Sequence, residues 1–163
     1  MPSTEVCSHC KGQLSRVIVD SVQASHGDIR VTLHRIPMDQ CASCGKRQFP
    51  HGPFHLTFMD TVGSNKELKY ARRKGFFSKT YICCNCKAEM NGPPQSGEWS
   101  FAMLPSTGEP IQVAIEAPTY LCMCGTRQFA ASPTEFIALA QAVAAAVKSA
   151  ENSSSASRPA TAH

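Results

Sequence analysis

Four short stretches place thiols at metal-ligand spacing: "CSHC" at 7–10, "CASCG" at 41–45, "CCNC" at 83–86 and "CMCG" at 122–125. Cys-x-x-Cys lets two thiolates reach one ion from a tight knuckle, and two knuckles complete a tetrahedral four-thiolate site. Cys7, Cys10, Cys41 and Cys44 form such a set without ambiguity. In the second half Cys83 and Cys86 face a shortened Cys-x-Cys knuckle, Cys122 and Cys124, and Cys84 is left over. That half either holds a second ion on those four thiolates or has lost its ion and stands on its core alone. Gly45 and Gly125, each after the last cysteine of a set, suit a backbone that must turn around an ion. Zinc is the expected metal, two ions per chain, although spacing alone also allows iron.

Sites of four cysteines are closed. A catalytic zinc keeps a position open for water and recruits histidine or carboxylate beside a general base, and the sequence offers no such arrangement. It also lacks a Gly-rich phosphate loop, a nucleophile elbow and a nucleophilic cysteine outside the ligand sets. His9 lies inside a knuckle, and His51 and His55 are four residues apart, but beside four thiols they read as surface or capping residues. The expectation is a protein that is not an enzyme, with no catalytic residues.

These knuckles need elements to hold them, and the chain writes those elements twice. "CSHCKGQL" (7–14) aligns with "CCNCKAEM" (83–90) at an offset of 76, and "CASCGKRQFP" (41–50) aligns with the segment ending "CMCGTRQFA" at an offset of 80. The similarity runs on through "HGPFHLTFMD" (51–60) and "ASPTEFIALA" (131–140), so the repeated unit is longer than a metal site. About 30 residues separate the two knuckles of the first copy, more than the 15 to 20 of compact four-cysteine modules, and a β-hairpin fills the excess.

"RVIVD" (16–20) and "IRVTLHRI" (29–36) alternate apolar and polar residues around the turn "SHGD" (25–28), as half-buried strands do. "WSFAML" (99–104) and "IQVAIEA" (111–117) repeat the pattern around "PSTGEP". A helix is expected to open at Pro53 in the first copy and at Pro133 in the second. The second has Ser132 as N-cap and Glu135 completing a capping box. Its apolar positions, Phe136, Ile137, Leu139, Ala140, Val143 and Val147, predict packing on a ribbon or on another chain. The expected fold is small α+β, tandem zinc ribbons made of β-hairpins with cysteine knuckles, each followed by a helix. The expected division is 1–62 for the first ribbon and helix, 63–82 for a basic linker or helix, 83–150 for the second ribbon and helix, and 151–163 for a disordered tail.

Nine cysteines among 163 residues, with no apolar run long enough to span a bilayer and no signal-peptide pattern at the start, favour metal ligation over a disulfide framework. A cytoplasmic location with no membrane contact is the expectation. A net charge of +4 is too mild to name a partner, but it is unevenly placed. "NKELKYARRKGFFSK" (65–79) gathers Lys66, Lys69, Arg72, Arg73, Lys74 and Lys79 with Tyr70, Phe76 and Phe77 interleaved. That composition suits phosphate contact with base stacking, or equally a solvated helix and linker whose aromatics plug into the second ribbon.

The order of knuckle, hairpin, knuckle and helix, with "CSHCKGQL" and "DQCASCGKRQF" at its ends, resembles the YgiT-type (MqsA-type) zinc-finger domain of bacterial toxin-antitoxin antitoxins. The resemblance covers 7 to about 60, and more weakly 83 to 150. It implies a structural zinc on Cys7, Cys10, Cys41 and Cys44 and a ribbon that grips a protein partner, in a bacterial chain. In that family a helix-turn-helix domain reads DNA, whereas this chain places a second ribbon where that domain would follow. The repeated Arg47-Gln48-Phe49 and Arg127-Gln128-Phe129 suggest a phenylalanine that seals each ribbon against its helix, beside an arginine that offsets thiolate charge or faces a partner. The functional expectation is a non-enzymatic interaction or regulatory module, related to antitoxins and first of all binding protein. The alternative is a nucleic-acid-binding protein that uses 66–79.

Overall fold

A computed structural model describes residues 6–50, 54–78, 80–104, 109–130 and 137–152. Each copy contributes one long hairpin, and the four strands join in a single antiparallel sheet. The first hairpin is β1 (Leu14–His26) and β2 (Ile29–Cys41), and β3 (Arg47–Gln48) pairs with β2. Helix α1 (Phe54–Ser64) follows, and then a small sheet of β4 (Arg72–Arg73), β5 (Tyr81–Ile82) and β6 (Glu89–Met90). The second hairpin is β7 (Gln95–Met103) and β8 (Ile111–Leu121), β9 (Arg127–Phe129) pairs with β8, and helix α2 (Ile137–Asn152) ends the described chain. The order across the sheet is β1-β2-β8-β7. The strands fall where the alternation placed them. The helix-opening residues Pro53, Ser132, Pro133, Glu135 and Phe136 lie outside the described residues.

The seam between the copies is symmetric. β2 and β8 run antiparallel with Leu33 opposite Val113, its own counterpart 80 residues later. Thr32 faces Ala114 and His34 faces Gln112, so a pseudo-twofold axis passes through the Leu33/Val113 pair. This is the geometry of an isologous dimer interface, written within one chain.

One face of the sheet is apolar and the other polar, the pattern of an antiparallel sheet that is covered on one side. Val22, Leu33, Val113 and Phe101 form one row across all four strands, each paired with the next. Gln23 bonds Thr32, and Arg30 pairs with Glu116, on the opposite face. The first hairpin keeps its apolar side inward over its whole length by a local inversion. Arg35 takes a left-handed conformation (φ 58°), so the buried set changes from Val31 and Leu33 to Ile36 and Met38. That conformation costs a non-glycine residue about 1–2 kcal/mol, which the burial of Ile36 and Met38 more than offsets.

One of the two helices crosses over to the other copy. α2 packs on β1 and β2 of the first copy through Leu139, Ala142, Val143, Ala146 and Ala150, all fully buried. Alanines at this face let the helix axis approach the sheet closely. α1 buries Phe54, Phe58 and Val62, spaced four apart on one face, and Phe58 meets Phe101 of the second hairpin at 6.3 Å between ring centroids. The repeat divides the chain into two ribbon-and-helix units, 1–62 and 83–150. The main core is instead continuous and draws on both hairpins and both helices, with a smaller cluster around Tyr81, Met90 and Tyr120 near the second cysteine set.

Segment 63–82, expected as a basic linker or helix, is helical only as far as Ser64. Beyond Ser64 the chain turns at Lys66–Glu67 and is then extended: Phe129 donates its N–H to the Lys69 carbonyl, Ala71 donates to the Phe129 carbonyl, and Arg72–Arg73 then pairs with β5. Tyr70 does plug into the second ribbon, stacked on Phe129 at 5.6 Å. Phe76 and Phe77 do not, and both are fully exposed at the tip of the β4–β5 hairpin.

Candidate metal centres

Folding brings the predicted ligands together in two sets, Cys7, Cys10, Cys41 and Cys44, and Cys83, Cys86, Cys122 and Cys124. Within each set all four sulfurs lie within 4.8 Å of one another. In the first, Cys7 Sγ is 3.7 Å from Cys44 Sγ and Cys10 Sγ is 3.4 Å from Cys41 Sγ. The second matches it, with Cys83 to Cys124 at 3.7 Å and Cys86 to Cys122 at 3.4 Å. A disulfide needs about 2.05 Å between sulfurs, so these thiols are free. A tetrahedron with bonds of about 2.3 Å has edges of about 3.8 Å, so the spacing and the donor set both fit a four-thiolate metal. The shortened Cys-x-Cys knuckle reproduces the geometry of the longer one.

Both sites are built alike. One ligand of each pair is buried and the other exposed, in the same order in the two sets. The first knuckle of each copy turns at a lysine in the left-handed region, Lys11 (φ 62°) and Lys87 (φ 66°), and the second turns at Gly45 (φ 73°) and Gly125 (φ 88°). At the first site the two knuckles close tightly: a Cβ on Gly12 would sit 2.6 Å from Ser43 Oγ and 2.8 Å from Cys41 Sγ. The aligned residue of the second copy is Ala88, and the knuckle opposite it is one residue shorter.

Backbone and side-chain donors aim at the sulfurs. Ser43 donates its N–H to Cys41 Sγ and Asn85 donates its own to Cys83 Sγ, both at 3.4 Å. The Cys44 amide, joined by that of Ser43, lowers the Cys41 thiol to about 6. At Cys124 the Thr126 hydroxyl and amide have the same effect, again to about 6. The Gly12 amide favours the Cys10 thiolate, but hydrogen bonding to Cys41 and Cys44 and burial outweigh it and push that thiol up to about 12. Cys122 behaves alike, with the Cys124 amide outweighed by Cys86 and burial. Each metal-free tetrad therefore pairs a stabilised thiolate with a thiol that keeps its proton.

Gln128 supports the second site in a way the sequence did not single out. It is completely buried; its Nε2 donates to Cys83 Sγ at 3.2 Å, and its Oε1 accepts the Cys84 N–H at 2.9 Å. Gln48, its counterpart, accepts from Ser8 Oγ, and Ser8 aligns with Cys84. The signal was in plain view as the middle residue of the repeated Arg-Gln-Phe. Cys84 itself is half-buried and outside the cluster.

The neighbouring residues of the repeated phrase take other partners. Arg47 is buried and donates to Gln40 Oε1, whereas Arg127 lies 4.2 Å above the Trp99 ring. Trp99 in turn stacks on Phe129 at 3.7 Å. Phe49 meets its own helix edge-on at Phe54, 4.8 Å away, as a sealing residue should. His9 is exposed and outside the ligand cluster, and His51 lies outside the described residues.

Of the basic residues, Lys66, Lys69, Arg72, Arg73 and Lys74 are exposed, and Lys79 lies outside the described residues. Among the described residues no helix is long and apolar enough to cross a membrane. Comparison of the chain with family models, curated proteins and solved structures finds no match.

Proposed function

We propose that this chain is a non-enzymatic zinc-ribbon protein, with a structural zinc in each site, that acts by binding a protein partner as an interaction or regulatory module. The observation that carries the reading is the closure of both sites. Four sulfurs at tetrahedral spacing, backed by backbone amides and by Gln128, leave no ligand position for water or substrate. The resemblance to the ribbon of YgiT-type antitoxins supports a protein partner and an antitoxin-related role.

Of the two destinations the sequence allows for the apolar face of α2, a ribbon or another chain, it takes the ribbon. Val143, on the apolar face of α2, is fully buried on the first hairpin, so a charge there would unfold the protein before it disturbed a partner. The second site offers a better surface. Leu121 and Met123 are exposed on either side of Cys122, beside an open cavity of about 610 Å³ lined by Glu98, Tyr120 and Arg127. An apolar pair rimmed by charge is the usual composition of a protein contact.

Native mass spectrometry should find two zinc ions per chain, and cobalt in their place should give tetrahedral tetrathiolate spectra. A chain that retains no metal and keeps its fold in a chelator defeats the reading. Affinity capture by the zinc-loaded chain and by its Leu121→Asp, Met123→Asp variant tests the surface. A partner held by the parent and lost by the variant, with two ions in both, is the expected result. Equal capture by both removes Leu121 and Met123 from the interface.

A further inference from the structure

The β4–β5 hairpin has no part in either metal site. Residues 65–78 carry five lysines and arginines against one acid, Glu67, a net +4 that equals the formal charge of the whole chain. Ordinary linkers spread their charge and hide their aromatics. This one does the reverse at its tip, where Phe76 and Phe77 are 96% and 102% exposed.

The hairpin is also held in shape. Arg72 and Arg73 pair with Ile82 and Tyr81, Lys74 donates its N–H to the Thr80 carbonyl at 2.9 Å, and the Lys74 side chain pairs with Glu89. Arg73 bonds the Tyr81 hydroxyl and lies over its ring, and Tyr70 anchors the base on Phe129. The two phenylalanines are therefore presented by an ordered stem, and their exposure costs the protein solvation with no folding gain in return.

We infer that this hairpin is a binding site for single-stranded nucleic acid, with Phe76 and Phe77 stacking on unpaired bases and Lys66, Lys69, Arg72, Arg73 and Lys74 meeting phosphates. The distribution of charge favours a polyanionic strand over a membrane surface. The basic residues follow an extended segment, and from Lys69 to Lys74 it spans about 17 Å at strand rise. A bilayer would engage a collar of charge at one depth below the tip, and most of this line would stay out of its reach. A duplex keeps its base faces stacked except at its two terminal pairs, whereas an unpaired strand offers successive base faces to two adjacent rings.

Fluorescence anisotropy of the zinc-loaded chain with a labelled oligothymidylate about twenty nucleotides long, over a salt series, tests the inference. The expected result is binding at low salt with a linear fall of log affinity against log salt, and weaker binding to a duplex of equal length. Phe76→Ala and Phe77→Ala should each lower affinity about tenfold. Lys69→Gln with Arg72→Gln should make the salt slope shallower by about 1.4. All four positions are exposed, and two ions retained in each variant separate loss of the site from loss of the fold. No binding at low salt, affinity unmoved by the phenylalanine changes, equal binding to duplex, or binding only to anionic phosphatidylserine vesicles would each overturn it. None of these outcomes touches the two-zinc reading, which the metal content tests separately.

Discussion

Gln128 shows how much one side chain can hold at a cysteine site. Buried completely, it donates to one sulfur and accepts from one backbone amide of the same knuckle, so its loss would leave the Cys84 amide without this acceptor and Cys83 Sγ with the Asn85 amide as its remaining donor. Gln128→Ala should lower stability by about 2–3 kcal/mol and weaken the second site about 10–100-fold, as read by thermal melting and by competition with a chromogenic chelator. Gln48→Ala, at a half-exposed residue bonded to an exposed hydroxyl, should cost under about 1 kcal/mol. The thiols give a second prediction. Cys10 and Cys122, raised to about 12, hold protons at neutral pH that a metal must displace. Zinc uptake by the metal-free protein in weak buffer at pH 7.5 should release at least one proton per site, and an indicator dye that reports none would contradict the pairing. Cys41 and Cys124 work in the opposite sense. With folded values near 6 against an ordinary 9.0, they favour the metal-free fold fully above pH 9 and lose that contribution as pH falls through 6.

The elements are set by short-range rules with one exception each way. Alternation in 16–20, 29–36, 99–104 and 111–117 is enough to give four strands, because period-two burial leaves no other way to cover one face. The inversion at Arg35 is not written in that pattern. It follows from a hairpin of 13-residue strands that must keep both ends on one core, and only the left-handed turn of a residue with no glycine signal achieves it. Helix α1 is mildly amphipathic by sequence, and its destination is decided by tertiary packing. Phe58, fully buried between its own helix and Phe101, should cost about 3–5 kcal/mol as Phe58→Ala. The loss should be seen equally in the first and second hairpins by hydrogen exchange. Protection lost from the first hairpin alone would mean that α1 serves only its own copy. The extended course of 69–73 was illegible for a related reason. Its basic and aromatic residues have no periodicity, and the partner strand that straightens them, β9, lies more than 50 residues away.

At the scale of the molecule, two ribbons share a seam and a core, and α2 of the second copy packs on the first hairpin, so the sites should not unfold separately. The only tryptophan, Trp99, lies in the second copy and reports on it alone. Cys44→Ser removes an exposed ligand of the first site, and it should lower the melting temperature recorded at Trp99 while leaving a single transition. A Trp99 transition that does not move would mean that the copies are independent. The sequence by itself determined the two sets of four cysteines, the repeat and its offsets, and the two long hairpins, because each depends on residue type and spacing along a short stretch. Only the tertiary structure decided that Leu33 would pair with its own counterpart, that α2 would cover the first copy's hairpin, that Gln128 would reach Cys83, and that Phe76 and Phe77 would remain in water. Those outcomes depend on which apolar faces meet. Two copies with nearly the same pattern can satisfy the pattern equally well apart or together, and burial of a shared core favours the joined arrangement.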